Sequence, residues 1–314
     1  MDNQILTKVG IREIGCYIPN LRVSNFDKME QFDIDQAFLE NKIGIKTVAK
    51  KDNLEETSDM CVKAVEALLV KSDLSLEMVD CLVVVTQNPD KYGLPHTSSI
   101  VHKKMSLKKT CAVFDLSLGC SGFVYGLSVI ESFMAVNGLS NGILITCDPY
   151  SKIVSDLDKN TSLLFGDAAT ATLISSEPRF VTKKFLFGSY GQDGSALEVN
   201  DGVLYMDGRA VFNFSATEVP KQVLELVDAG GYLLNDFDLF LFHQGSKYII
   251  DTLIKRLKIN KDKVPFKIEN IGNTTSSSIP LLLSEFMNDN TKKNILMSGF
   301  GVGLSWSSCI LQRV

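Results

Sequence analysis

Three polar side chains in this 314-residue chain stand where an apolar run gives way to a turn, and their types suit nucleophilic acyl chemistry. The first is Cys120 in 114-FDLSLGCSGFVYGL-127, with Gly119, Ser121 and Gly122 around it. A thiol at a helix entrance meets the positive end of the helix dipole and unpaired main-chain N–H groups, and both favour the thiolate. Small neighbours let the turn be tight and a substrate come close. An arbitrary cysteine is more often a small buried hydrophobe, and Cys16, Cys61, Cys81, Cys111, Cys147 and Cys309 are read that way. The second residue, His243, closes the apolar run 238-DLFLFH-243. It is either a strand-end hydrogen-bonding group or a base or donor held in a dry site. The third, Asn273 in 270-NIGNTTSSSIP-280, is part of a polar helix start or a neutral donor to an oxyanion. His96 and His102, in 93-GLPHTSSIVHKK-104, read as structural or exposed.

A glycine-rich turn, 298-SGFGVGLSW-306, follows a strand pattern. It lacks the lysine and following helix of a phosphate-binding loop. Its glycines either aim N–H groups into a cleft or make a tight turn.

These residues need a scaffold, and the rest of the chain describes one. Apolar residues make up 45% and charged residues 22%, as in an ordinary globular protein with a large core. The seven cysteines are scattered without a C-x-x-C pair, and the three histidines have no helical spacing. That predicts neither a disulfide framework nor a metal site, and it fits a reducing cytoplasm. A net charge of −5 argues against a general nucleic-acid binder. No apolar run approaches the ~18 residues of a membrane span, and MDNQILTKVG carries no signal-peptide core.

Short β-branched or apolar runs predict strands at 81–87, 111–117, 142–147, 169–175, 185–191, 238–244, 265–271, 294–300 and 307–313. Helical patterns lie between them at 55–72, capped at Thr57 or Ser58, and at about 121–137, 216–229, 246–257 and 276–288. This is an α/β architecture with both sheet faces covered. There is also an internal echo. The segment 119-GCSGFVYGLSVIESFM-134 matches 272-GNTTSSSIPLLLSEFM-287, and a strand end precedes each by a similar interval, 33 residues from Gln87 to Cys120 and 30 from His243 to Asn273. Order and spacing agree, so duplication is favoured over coincidence. The expected halves are 1–176, carrying Cys120, and 177–314, carrying His243 and Asn273. Cys120 and Asn273 are then equivalent positions at the carboxyl ends of strands, where α/β proteins place their chemistry.

At this point the residues resemble the β-ketoacyl-acyl-carrier-protein synthase III family of thiolase-like condensing enzymes. The resemblance runs along almost the whole chain. It is strongest at 114-FDLSLGCSGFVYGL-127, 165-FGDAATA-171, 206-MDGRAVFNF-214, 242-FHQ-244, 271-IGNTTSSSIP-280 and 299-GFGVGLSW-306. It implies a five-layer αβαβα fold of two duplicated halves with mixed sheets, and a homodimer. It also implies that Cys120 carries an acyl group as a thioester. His243 and Asn273 would hold the carbonyl of a malonyl-carrier thioester and stabilise the enolate formed as CO2 leaves, in a decarboxylative Claisen condensation. The main-chain N–H groups of Cys120 and Val302 would form the acyl oxyanion hole, and Leu94 matches a position that reaches across the dimer to the acyl pocket. No cofactor is implied beyond the acyl-coenzyme A or acyl-carrier-protein substrate.

The chain also departs from the family. Phe38 stands where the family has a tryptophan that stacks on coenzyme A, and Lys42 where it has a nearby arginine. Ser246 and Tyr248 replace an asparagine and a carrier-docking arginine. Phe38, Lys42, Lys247, Lys255 and Arg256 are therefore the candidate contacts for coenzyme A or an acidic carrier protein, or else ordinary solvated side chains. Two alternatives stand beside condensation. One is transfer of the Cys120 acyl group to a hydroxyl or amine. The other is a non-catalytic partner subunit of a related synthase.

Overall fold

The computed structural model describes residues 8–314. The first seven residues of the N-terminal stretch considered for an export signal lie outside the described residues. The strands run β1 (Gly10–Tyr17), β2 (Leu21–Ser24), β3 (Thr47–Lys50), β4 (Cys81–Val85), β5 (Ala112–Leu116), β6 (Asn141–Cys147), β7 (Ala169–Ser175), β8 (Phe180–Ser189), β9 (Leu197–Asn200), β10 (Val203–Met206), β11 (Leu239–Phe242), β12 (Asn294–Gly301) and β13 (Ser305–Arg313). Two pairs, β2–β3 and β9–β10, stand apart as small ribbons. The other nine strands follow the order β11-β12-β13-β8-β1-β7-β6-β4-β5.

That row is two sheets joined by a single pair, Ile11 with Phe180. In the first, β5, β4 and β6 are parallel, and β7 and β1 follow antiparallel. In the second, β11 and β12 are parallel, and β13 and β8 follow antiparallel. The same sequence of strand directions therefore occurs twice. The second copy is one strand short, because 265–271 is a loop and not the expected strand. Pro265 has no N–H to give a ladder. The amide of Gln244 engages the segment instead, donating to the carbonyls of Phe242 (2.9 Å) and Pro265 (3.3 Å) and accepting from the N–H of Lys267 (3.2 Å).

Helices cover and separate the sheets. Thr57–Lys71 and Thr97–Lys104 pack on the outer face of the first, and Gly208–Ala229 and Lys247–Leu257 on the outer face of the second. Gly122–Asn137 and Ser278–Ser284 lie between them. The result is five layers, αβαβα. The cap expected at Thr57 or Ser58 is Glu56, whose partner in a capping box is Asp59. Asp207 caps the helix that follows it and starts that helix at residue 208, eight residues before the apolar pattern at 216. The last helix ends at Ser284, short of the expected 288.

The composition of each layer explains its place. Strand β4, CLVVV, is apolar on both faces and wholly buried, as a strand covered on both sides must be. Helix Gly122–Asn137 buries Phe123, Val124, Leu127, Ile130 and Met134 completely. At about 2 kcal/mol per side chain this burial is comparable to the net stability of a domain. The turn at its start, which carries Cys120, is therefore anchored in the core.

One charge-bearing side chain interrupts that helix. Glu131 is 9% exposed; Thr182 Oγ1 donates to its Oε2 at 2.5 Å, and its Oε1 has no partner. Burial pushes its pKa up from 4.5 to about 8, against the pull of the Thr182 hydrogen bond. The folded carboxyl thus keeps its proton where the unfolded one loses it. Its stabilising contribution is complete below pH 4.5 and is lost as pH rises to about 8. Chemical denaturation of Glu131→Gln and the parent between pH 5 and 8 measures this. The variant gains relative to the parent as pH rises, by roughly 2–4 kcal/mol across the window.

Candidate active site

Parallel strands end on one edge of each sheet, and the polar residues follow those ends. Cys120 lies four residues beyond β5 and two before helix Gly122–Asn137. His243 comes directly after β11, and Asn273 precedes helix Ser278–Ser284. All three line one cavity of about 870 Å³. Asn273 is fixed there by two main-chain bonds, its N–H to Leu164 O at 2.7 Å and its C=O to Gly166 N at 3.0 Å.

Cys120 is only 3% exposed. The turn after β12 presses against it. A Cβ on Gly301 would lie 2.8 Å from both Cβ and Sγ of Cys120, and one on Gly299 would lie 2.7 Å from its carbonyl oxygen. This approach brings the N–H of Val302 to the sulfur, where the N–H of Cys120 also points. Both hydrogen bonds favour the thiolate, but burial and the nearby carboxyl of Asp148 outweigh them and push the thiol up to about 12. The helix entrance suggested an easily ionised thiol; burial favours the neutral form instead. Desolvation was not visible in the motif.

His243 is 3% exposed, and burial lowers its pKa to about 3, so the ring is neutral. Its Nδ1 lies 2.8 Å from Ser278 Oγ. The same oxygen accepts from Gln244 N–H at 3.4 Å. Asn273 Oδ1 accepts from Thr275 N at 2.9 Å. Its NH2 has no protein partner among the described residues and is free to donate into the cavity. The site thus gathers neutral polar groups around a buried thiol.

Asp148 lies behind these groups and was not singled out by sequence. It follows β6 and is 1% exposed. Its Oδ1 accepts from Asn88 Nδ2 at 2.8 Å and Gln87 N at 3.1 Å, while its Oδ2 has no partner. Thr275 Oγ1 donates to Thr274 O at 2.8 Å and lies 3.4 Å from the main-chain carbonyl of Asp148. Its setting in 146-TCDPY-150 resembles an ordinary strand-to-turn exit.

The cavity has an apolar wall of Leu164, Phe165, Leu197, Met206 and Val211 and a basic mouth. The Nζ atoms of Lys42 and Lys159 lie 5.6 and 5.2 Å from the centroid of the Phe38 ring. Across from them Phe212 stacks on Tyr248 at 4.8 Å. Arg209 completes the rim, and among the described residues none of Lys42, Lys159 and Arg209 is in an ion pair. Sequence pointed to Phe38 and Lys42 but not to Lys159; Arg209 and Phe212 lay inside the quoted 206–214 motif without an assigned role.

The other candidates lie elsewhere. Lys247 is paired with Asp251 at 2.8 Å. Lys255 and Arg256 occupy the last turn of helix Lys247–Leu257, about 13 Å along the axis from Ser246 at the mouth. Leu94 is 86% exposed and does not line the cavity of its own chain. Among the described residues no group of three His, Cys, Asp or Glu could hold a metal, and no helix is long and apolar enough to cross a membrane.

The close approach at Cys120 has a direct test. Gly301→Ala places a methyl group where the thiol sits and moves the sulfur off its two N–H donors. Acyl transfer to Cys120, followed by intact mass spectrometry, should slow about 100-fold in a variant that still folds.

The family model for 3-oxoacyl-[acyl-carrier-protein] synthase III matches residues 114–194, and that for its C-terminal part matches 227–313. A β-ketoacyl-[acyl-carrier-protein] synthase III of Streptococcus sanguinis is 33% identical over 96% of this chain and 98% of its own. Crystal structures of synthase III from Thermus thermophilus and Aquifex aeolicus each superpose with a TM-score of 0.90, at 29% identity, over 97% of this chain and 99% of theirs. Two family matches, near-complete coverage and the five-layer fold agree that this chain belongs to the β-ketoacyl-[acyl-carrier-protein] synthase III family, the thiolase-like condensing enzymes of the acyltransferase class.

Proposed function

We propose that Cys120 takes an acyl group from a phosphopantetheine thioester and that the acyl group is then condensed with a malonyl-type extender. The observation that carries this is the donor set around one buried thiol: two main-chain N–H groups at its sulfur, a neutral His243 and the free NH2 of Asn273. The N–H groups of Cys120 and Val302 receive the oxyanion of the acyl thioester. His243 Nε2–H and Asn273 Nδ2–H receive the extender's carbonyl oxygen as it gains charge during loss of CO2. Neutral donors suit this step, because an enolate is stabilised by hydrogen bonds without being quenched by an acidic proton. A histidine lowered to about pKa 3 is a weak base, which favours condensation over deprotonation of a hydroxyl or amine acceptor.

The mouth supports a phosphorylated thioester. Lys42, Lys159 and Arg209 offer charge to phosphate, and Phe38, Phe212 and Tyr248 offer flat apolar faces to the arm behind it. Acyl carrier protein and acyl-coenzyme A both bring that group. Lys247 contributes beside the mouth at most through its stem, and Lys255 and Arg256 would meet a carrier's surface and not its arm.

We also infer a homodimer of duplicated halves, residues 1–176 and 177–314. Both ends of the strand row are edges. That of β11 is buried, at 0–3% exposure, whereas β5 leaves Val113, Phe114 and Leu116 only partly buried. An apolar edge of this kind is ordinarily covered. A second copy would cover it and bring the protruding loop of Tyr92 and Leu94, 103% and 86% exposed, toward a neighbouring acyl pocket. Sedimentation of the purified chain at twice its 34.6 kDa mass is the expected result.

Intact mass spectrometry with a panel of acyl-coenzyme A and acyl-carrier donors tests the main proposal. The parent gains one acyl mass, and Cys120→Ala gains none. His243→Ala and Asn273→Ala accumulate the acyl-enzyme, yet form β-ketoacyl product about 100- to 1,000-fold more slowly. Release of CO2 with no new carbon–carbon bond, for every primer tried, would count against condensation.

A further inference from the structure

We infer that Gly44 is a positioning residue for the phosphate-bearing end of the acyl donor, because it seats the segment carrying Phe38 and Lys42 against the helix that follows His243. The inference rests on the proposed reading of the mouth as the entrance for a phosphorylated thioester. Two stretches of chain face each other there. One is the segment 38–43, of which Phe38, Lys42 and Ile43 line the cavity. The other starts at Ser246 and opens helix Lys247–Leu257, from which Tyr248 and Ile249 line it.

The first stretch belongs to no sheet and no long helix. Asp35 Oδ1 caps its start, accepting from Phe38 N–H at 2.7 Å. The backbone then makes one wide turn, Leu39–Ile43, closed by Gly44 N–H on Leu39 O at 2.6 Å. A hydrogen bond that spans five residues is a rare form, found frequently at functional sites. Leu39 and Ile43 are buried and pack with Ile268, and the partly buried Phe266 rests against the same cluster. Phe266 lies in the loop that the Gln244 amide engages on both sides of it, at Pro265 and Lys267. The segment is thus placed from the residue next to His243.

Gly44 is where the two stretches touch. Its φ of +76° is a left-handed conformation that a residue with a Cβ adopts only at a cost. Space is lacking as well. A Cβ there would lie 2.5 Å from Lys247 Cβ and 2.8 Å from Phe266 Cζ. Neither neighbour steps aside easily. The first is the root of a side chain at the start of a helix capped by Ser246, whose Oγ accepts from Ile249 N–H at 3.4 Å. The second is a ring packed against two core clusters. An added methyl group therefore moves the segment outward by about 1 Å, the distance needed to restore ordinary carbon–carbon contact. Phe38 and Lys42 move with it, away from their place opposite Tyr248. The reacting groups are held from elsewhere: Cys120 by the turn at Gly299 and Gly301, Asn273 by Leu164 and Gly166, and His243 by Ser278.

Acylation of Cys120 by three donors of one acyl group tests this, read by intact mass spectrometry. The donors are the thioesters of coenzyme A, of acyl carrier protein and of N-acetylcysteamine, the last having the same reacting end without phosphate. In Gly44→Ala the KM for the phosphorylated donor that the parent prefers should rise about 20-fold, while the saturating rate falls by less than about threefold. The rate with N-acetylcysteamine thioester should stay within roughly twofold of the parent's. Gly44→Asn brings the same Cβ but tolerates the left-handed backbone better, so it should show the same split even where Gly44→Ala folds poorly. Lys42→Met should raise the same KM about 10-fold, and the double variant should reach about 30-fold, not the roughly 200-fold of two independent sites. A parent indifferent to phosphate overturns the reading of the mouth and this inference with it. A parent that prefers phosphate overturns this inference alone if both Gly44 variants keep that preference, if they lose all three donors equally, or if the effects of Gly44→Ala and Lys42→Met multiply.

Discussion

Two stretches of main chain from opposite halves of the sequence pass each other at Cys120 more closely than side chains allow. Gly299 and Gly301, at the end of β12, lie against the carbonyl, Cβ and sulfur of a residue nearly two hundred positions earlier. Most of the site follows from this crossing. It carries the Val302 N–H to the sulfur and buries the thiol, and on the proposed reading it leaves a substrate's carbonyl oxygen facing two fixed dipoles. Preorganised donors of this kind need no reorientation when charge develops, and a dry surrounding makes them stronger than they would be in water.

Dryness also has an opposing effect. It raises the thiol, raises Asp148 and lowers His243, so the resting site is close to neutral. On the proposed reading, charge enters it with the substrate's chemistry and is met by hydrogen bonds. The mouth works the other way. Lysines and an arginine without ion pairs rim a half-open entrance, so long-range attraction acts there while short-range donors act inside.

Much of this was legible in the chain. Cys120 and His243 stood out because each ends an apolar run, and a reactive type at such a point is a local signal. The paired 119–134 and 272–287 segments pointed to Asn273, and the strand directions repeat in the two sheets. What was not legible is non-local. The apolar run 265–271 looked like a strand because the side chain of Gln244, which engages it, is twenty residues away. Lys159 and Arg209 meet Lys42 only in the folded chain, and nothing around either one marks it. The ionisation of Cys120 went astray because a helix dipole can be inferred from a motif, whereas the depth of burial cannot.

The central helix Gly122–Asn137 is apolar on nearly every face and lies between the two sheets. Amide protons of such a segment exchange only through opening events that approach global unfolding. Cys120 is thus tied to a core segment of the kind that exchanges slowly, whereas the residues at the mouth belong to ribbons and helix ends. Evolution can therefore alter what enters this protein by drifting at its rim, where stability is little affected. Moving the cysteine itself would require rebuilding the core.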